Sequence, residues 1–477
     1  MKLYKDYAVL ASGQIASRLL GLLAFAWLAR VLAPETYGAV EYVIGIALLG
    51  GTFIDGGSSL VGARRATQEP EALPRIAFQV LVARLVLAAL SVPIVAGLAL
   101  WTAGPAVPTA LIWLFAASLL LTPWRQEWIF QATGRIANVA LGQTLRACVF
   151  ALLVFASVRA AHEATAVGWC ELAAGAALTA YCLYVQHRRI TPVRWAGSLR
   201  GFASVLRESL AAGAGTSAWA IGQSAPLLMI GALVGGVQTA WFAAAARIVG
   251  SLMIVPYVYH YGLYPAVSRA VAHDIGELRD LLARSCRVAA WGGVLLALAL
   301  ALLAEPVVTL VMGPKFGPAA AMLRVMAWVI PVSLCSDHAS SALAAAGQQT
   351  KIVWTQLARL GTVIVVGLLL GDSAGGLGYA IAALAGAFVV WGVVHFFAQR
   401  RGLHPPAFLL TAKPAALAAA ILVAAQLTQS GPWTSLAWLA GYAALAPIVD
   451  RKLIRDFFAL GRASPGLRGA STRTTAS

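Results

Sequence analysis

The chain has 477 residues, 60% of them apolar and 11% charged, with a formal net charge of +17 and a mean hydropathy of +0.80. Soluble domains carry about 45–50% apolar and about 25% charged residues, and a globule this size cannot bury so much apolar surface beneath a polar exterior. The composition excludes a cytosolic enzyme, a secreted disulfide scaffold and a disordered chain. A bilayer crossing takes ~20 apolar residues, and runs of that kind fall at 8–32, 39–63, 76–101, 109–132, 136–158 and 165–186. After an arginine-rich stretch they resume at 209–235, 237–262, 285–304, 321–345, 351–371, 376–398, 413–428 and 433–449. The runs do not alternate with period two, and lipid cannot satisfy exposed backbone groups, so helices are expected. The expected fold is an all-α polytopic membrane protein with about 14 transmembrane helices. Met1 to Asp6 is basic, but no cleavage site follows, so the first run reads as a retained span.

The positive charge sorts by loop. With the N-terminus inside, the inner loops hold Arg64, Arg65, Arg75, Arg135, Arg188, Arg189, Arg194, Arg200 and Arg207. They continue with Arg269, Arg279, Arg284, Arg287, Lys351, Arg400, Arg401, Lys413 and a tail from Arg451, while the outer loops hold little beyond Arg159 and Lys315. That bias places both termini in the cytoplasm. The expected organisation is a six-helix lobe over 1–186, a basic linker over 187–208 and a second six-helix lobe over 209–398. Two extra helices over 399–450 and a disordered tail over 451–477 follow. Within the linker, Trp195, Leu199, Phe202, Val205 and Leu206 have the spacing of an amphipathic helix on an anionic leaflet, or of a solvated connector. An internal echo, Glu35-Thr36-Tyr37-Gly38-Ala39 against Gln238-Thr239-Ala240-Trp241-Phe242, fits repeated halves.

Ionisable side chains at membrane depth cost ~2.5–3.5 kcal/mol each on insertion scales, so each needs a reason. Counting outward from shared turns matches Arg18 with Asp55, Arg30 with Glu41 and Asp337 with Arg359 in depth, and these are expected to pair. Arg18, Arg84, Arg125 and Arg146 each lie ~12–18 Å in from a cytoplasmic end, with Asp55 and Glu127 the nearby acids. At least two of them then lack an acidic partner and should face a wet cavity. A guanidinium fork binds phosphate oxygens bidentately, so these arginines, with Arg247 from the eighth span, are the expected site for a phosphorylated substrate. The alternative is pairing of each with backbone carbonyls.

Pro123, Pro226, Pro256 and Pro331 interrupt spans and are expected to kink them. Gly50-Gly51 and Gly56-Gly57 permit close packing. His260, His338 and His395 read as satisfied buried histidines, and Cys148, Cys170, Cys182, Cys286 and Cys335 as small apolar residues. No phosphate-binding loop, zinc-protease or serine-hydrolase pattern occurs, so no enzyme, metal or cofactor is expected.

Ser17-Arg18-Leu19-Leu20-Gly21, followed by Ala29-Arg30-Val31-Leu32-Ala33-Pro34-Glu35-Thr36-Tyr37-Gly38, resembles the opening of polysaccharide flippases of the O-antigen (Wzx) type. Those belong to the multidrug/oligosaccharidyl-lipid/polysaccharide exporter superfamily. Trp241 to Arg247, Tyr264 to Arg269, Gly313 to Gly317 and Ala344 to Gly347 resemble later landmarks of the same family, in order, over about residues 8–398. The resemblance implies two pseudo-symmetric six-helix lobes in a V and alternating access. It implies a substrate of undecaprenyl-diphosphate carrying an oligosaccharide repeat, flipped from the inner to the outer leaflet of the bacterial inner membrane for lipopolysaccharide or exopolysaccharide synthesis. Polymerase and chain-length proteins of that pathway are expected partners, together with membrane lipids and without nucleic acid. Arg18 matches a cavity arginine of the lipid II flippases, but Leu22 to Ala26 lacks the second charge they carry, which argues against lipid II. Where many polysaccharide flippases have a span-seven Asp, this chain has Gln223-Ser224-Ala225-Pro226-Leu227. The alternatives are a drug or small-cation antiporter of the same fold, which would need cavity carboxylates, and a polymerase or ligase, which would need a longer outer loop.

Overall fold

The computed structural model describes residues 2–104, 107–191, 201–428 and 431–463, and every regular element among them is helical. The central part of the basic linker, with Arg194, Trp195, Leu199 and Arg200, and the tail beyond 463 lie outside the described residues. Two compact units form: one from Met1–Ser251, Val308–Met322 and Gln356–Gly386, the other from Leu252–Val307, Leu323–Thr355 and Ala387–Ser477.

The first unit holds α1 (Lys2–Val31), α2 (Pro34–Asp55), α3 (Ser58–Gln68), α4 (Leu73–Thr102), α5 (Thr109–Leu119), α6 (Glu127–Ala132), α7 (Ile136–Ser157), α8 (Ala164–Arg189), α9 (Phe202–Leu233) and nearly all of α10 (Gly236–Leu252). In it α1 lies along α7, α7 along α8, and α2 against α4 and α9. The second unit is built on α12 (Ile275–Leu302), which packs against α11 (Ile254–His273), α15 (Val329–Ala345), α18 (Ala407–Leu427), α19 (Pro432–Val449) and α20 (Lys452–Ala463). Helices α13 (Ala304–Met312), α14 (Ala319–Met326), α16 (Gln349–Ala374) and α17 (Gly376–Gln399) contribute residues to both units.

Among the described residues, eleven helical segments are long and apolar enough to cross a membrane. The three other expected runs are largely helical as well: 209–233 lies in α9, 433–449 in α19, and 109–132 is split into α5 and α6 with a break between them. Large apolar side chains face outward along these helices. The most apolar stretch of α16 is only 17% buried within the protein, and Val365, Leu368 and Leu369 are exposed on it. Water would penalise such a surface; acyl chains do not. Trp101 and Trp433 are exposed close to helix ends, where indole rings suit the membrane interface.

The prolines act in different ways. Pro123 breaks its span: a 3-10 turn at Thr122–Trp124 precedes Arg125, whose φ −79°, ψ 81° leaves the helix. Pro256 and Pro331 sit in the first turns of α11 and α15, where a missing N–H costs nothing. Each ring would strike the carbonyl four residues upstream, and α10 accordingly stops at Leu252 and α14 at Met326. Pro226 stays inside a continuous α9.

Glycine decides one approach. Gly56 and Gly57 have φ of 48° and 82°, and they end α2 and begin α3. A side chain on Gly57 would collide with the backbone of Ser209 and Gly213 on α9. The break therefore seats backbone to backbone against α9. The echoed segments also meet, since Gly38 lies against the backbone of Gly236 and Ala240. Val205, in the described part of the linker, is fully buried with Val61, Ile76 and Trp128, so its helix turn faces protein.

Helix α12 starts well before the expected 285, because Asp274 caps it by accepting the Gly276 N–H at 2.7 Å. Arg287, counted from sequence among the loop charges at the edge of that run, stands more than three turns inside the helix. It bonds Asp450 at 2.7 Å and Asp456 at 2.9 Å, which anchors the start of α20 to α12.

Candidate substrate site

In the first unit, charged side chains from α2, α4, α7, α8 and the α5–α6 break gather into one polar cluster. Its organiser is the broken span. The α2–α3 break leaves Asp55, Ser58 and Ser59 at one level, where the Asp55 carboxylate accepts from Ser59 Oγ at 2.6 Å and from the Gly57 N–H at 3.2 Å. Arg84 on α4 reaches this level and pairs with Asp55. Its Nε donates to Ser58 Oγ at 2.7 Å, its Nη2 to Ser59 Oγ at 2.7 Å and its Nη1 to the Arg125 carbonyl at 3.0 Å. Arg84 is 3% exposed. A buried guanidinium is tolerable when paired and hydrogen-bonded on all sides.

That carbonyl is available because Pro123 broke the helix. Arg125 itself is partly buried, and its Nε donates to Thr179 Oγ1 at 3.4 Å. Room for its guanidinium comes from Gly175 on α8, where a Cβ would lie 2.5 Å from Arg125 Nη2. Arg146 pairs with Glu171 across the α7–α8 hairpin, and Glu127 accepts from Gln143 Nε2 at 2.8 Å. Arg125 feels both Arg146 and the carboxylates Glu171 and Glu127.

A second cluster joins α1, α2 and α10. Arg247 holds Glu41 through two nitrogens, Nε at 3.0 Å from Oε1 and Nη2 on Oε2. Its guanidinium carbon lies 3.6 Å from the Phe25 ring centroid, a cation–π stack. The fully buried Tyr37 donates its hydroxyl to Glu41 Oε1 at 2.8 Å. Arg18 donates to the Gly250 carbonyl at 3.0 Å, one helical turn beyond Arg247.

Two of the pairs expected from depth are corrected. Asp55 pairs with Arg84, not Arg18, and Glu41 pairs with Arg247, not Arg30. Arg30 is exposed and donates to the Leu310 carbonyl. The reason is rotational: a depth count fixes height on a helix but not the face, and the faces of α2 carrying Asp55 and Glu41 turn toward α4 and α10. Arg359 donates to Gln223 Oε1. It lies in the first unit and Asp337 in the second. Glu171 was missed by the sequence reading. The signal was present, since counting out from the turn near 160 puts Arg146 and Glu171 within about one helical turn of each other in depth.

Of the five expected site arginines, Arg84, Arg146 and Arg247 thus carry carboxylate partners. Among the described residues no salt bridge reaches Arg18 or Arg125, which bond a carbonyl and a hydroxyl instead.

The family model described as Polysaccharide biosynthesis protein matches residues 3–271. A candidate O-antigen transporter of Escherichia coli (strain K12) is 22% identical over 335 residues, covering 68% of this chain and 79% of that protein. Among solved structures, the lipid II flippase MurJ in an inward closed conformation superposes with a TM-score of 0.78 at 12% identity, over 94% of this chain and 100% of that one. An inward-facing multidrug resistance MATE family transporter of the MOP superfamily superposes with a TM-score of 0.66 at 16% identity, over 81% and 94% of the two chains. These two share the fold with this chain.

Proposed function

We propose, from the premise that the chain belongs to the polysaccharide biosynthesis protein family, that it is a flippase. It moves a lipid-diphosphate-linked oligosaccharide repeat from the inner to the outer leaflet by alternating access. The relationship to a candidate O-antigen transporter and the shared fold with a lipid II flippase support this reading. The observation that carries it is the pair of membrane-depth arginines, Arg18 and Arg125, that no salt bridge reaches among the described residues. In this reading they take the diphosphate, with Arg84, Arg146 and Arg247 as a cationic frame whose charge is balanced before substrate arrives. Residues 1–186 and 209–398 act as the two lobes. No bond is made or broken, so the activity is transport and not catalysis.

The MATE-like fold keeps a cation antiporter as the second reading. Against it, Asp55, Glu41 and Glu171 are each held by an arginine, which leaves these carboxylates poorly placed to bind a cation.

The protein sits in the bacterial inner membrane with both termini cytoplasmic, and it works beside the polymerase and chain-length proteins of its pathway. Reporter fusions at Gly104 and Gly402 should read outside and inside respectively. The functional test is reconstitution with a fluorescent undecaprenyl-diphosphate oligosaccharide. The wild type should expose the probe to a membrane-impermeant quencher, and the R18A/R125A double variant should not. Equal flipping by that variant would remove both arginines from the site.

A further inference from the structure

In the second unit a chain of polar groups runs through otherwise apolar packing. Tyr259 and His260 stand on α11, Ser285 on α12 and His338 on α15. Ser285 and His338 are fully buried, and His260 is 9% exposed. Around them lie Cys286, Ala290, Val332 and Cys335, then Ala339, Ala342 and Leu343. Burying polar groups in such a place costs stability unless each is bonded.

The bonding can be worked out atom by atom. His260 Nδ1 is 2.9 Å from the Pro256 carbonyl and His338 Nδ1 is 2.8 Å from the Leu334 carbonyl. A carbonyl only accepts, so both Nδ1 atoms carry hydrogen. His338 Nδ1 is also 3.2 Å from His260 Nε2, with the rings edge to face at 82°. That N–H is therefore shared between the Leu334 carbonyl and the His260 lone pair. On the other side, His338 Nε2 is 2.9 Å from Ser285 Oγ and accepts its hydroxyl hydrogen. Tyr259 Oη stands 2.6 Å from Ser285 Oγ and 2.9 Å from the Ser285 carbonyl, and it donates there. With both imidazoles neutral, every polar hydrogen has an acceptor.

One further proton fits this network and a second does not. A proton passed along Tyr259 and Ser285 adds to the His338 Nε2 lone pair. Ser285 Oγ then accepts from Nε2–H instead of donating, and the Tyr259 hydroxyl keeps the Ser285 carbonyl. The cationic His338 still donates Nδ1–H to neutral His260 Nε2, now as a charge-assisted bond, which is stronger than a neutral one. A second proton on His260 Nε2 would set two N–H groups against each other at the same contact. Among the described residues, His395 on α17 acts on His338, Cys286 on α12 and Cys335 on α15 act on Tyr259, and Asp337 acts on Cys335.

We propose that His260 and His338 form a single-proton binding site through which a proton gradient drives this protein, with Ser285 and the partly buried Tyr259 as the entry path. The proposal rests on reading the chain as a transporter, but the site itself is defined without reference to the transported molecule. The occupied state adds one positive charge between α11 and α15, and proton arrival and departure thereby bias how those helices pack.

The test is proton uptake by purified, substrate-free protein in lipid nanodiscs, titrated between pH 8 and pH 4. The wild type should take up about one proton more than the H260N/H338N variant, the stoichiometry set by one bound proton per pair. Equal uptake by the two proteins overturns the site. To cover a variant that fails to fold, the unmodified protein labelled with ¹⁵N-histidine is titrated as well. Two buried imidazole signals moving with one shared midpoint support the pair; signals that stay neutral throughout overturn it. Because both measurements omit the lipid-linked oligosaccharide, a positive result with no flipping would remove the flippase reading and leave the proton site standing.

Discussion

Glu41 and Arg247, 206 residues apart in sequence, form a two-nitrogen ion pair whose carboxylate end is 4% exposed. Removing one partner strands the other charge, and for buried pairs that costs about 3–5 kcal/mol. Glu41→Gln or Arg247→Met alone should therefore lower the melting temperature in detergent sharply. The double variant E41Q/R247M should recover much of the loss. A double variant as unstable as the sum of the singles would show that the two residues do not act on each other.

Gly175→Ala separates position from charge at Arg125. The new Cβ would lie 2.5 Å from Arg125 Nη2, so the guanidinium must move while its charge stays. Alanine inside a helix is favoured over glycine by about 0.5–1 kcal/mol. The expected result is an unchanged or slightly raised melting temperature with a strong fall in probe flipping. Arg84→Ala should act the opposite way on abundance, lowering the amount of folded protein because Asp55, Ser58 and Ser59 lose their common partner.

At Gly57 the backbone conformation and the space are both restrictive. Its φ of 82° costs a side-chain-bearing residue about 1–3 kcal/mol. If strain were the whole effect, Asn would be tolerated, since it visits the left-handed region readily. The α9 backbone at Ser209 and Gly213 stands where any Cβ must go. Gly57→Asn and Gly57→Ala should hence both destabilise strongly, read as loss of the monodisperse peak after mild heating. Rescue by Asn would assign the effect to strain alone.

Glu208, at the start of α9, accepts from Arg65 and, at 2.8 Å, from Arg64. The hydrogen bond from Arg65 and the charges of both arginines hold its carboxyl below the usual range. A carboxyl lowered by folding stabilises the folded state above its unfolded pKa of about 4.3. That contribution is lost as the pH falls through the lower folded value. The pair is partly exposed, so solvent screening limits it to about 1 kcal/mol or less. The melting-temperature gap between wild type and Glu208→Gln should be present at pH 7, flat down to about pH 5, and shrink as the pH falls further.

Much of this molecule could be read along the chain, and particular residues show where the reading stopped. Pro123 correctly marked a broken span, but it gave no hint that the break frees the Arg125 carbonyl to hold Arg84. The histidines were legible only as buried, because the hydrogen-bond chain that joins them spans three helices. Arg146 was singled out while Glu171, its partner, was passed over. Arg287 was counted with the loop charges because it stands within one turn of the expected span start at 285, whereas Asp274 starts α12 more than two turns earlier.

Hydropathy and charge are properties of the chain taken one segment at a time, and lipid enforces them segment by segment. The sequence by itself therefore determined the helical class, the apolar spans and the membrane-depth arginines. Pairing depends on which face of each helix meets which neighbour, and that is settled by packing of distant segments. Only the tertiary structure decided that Asp55 holds Arg84, that Glu41 holds Arg247, and that among the described residues no salt bridge reaches Arg18 or Arg125.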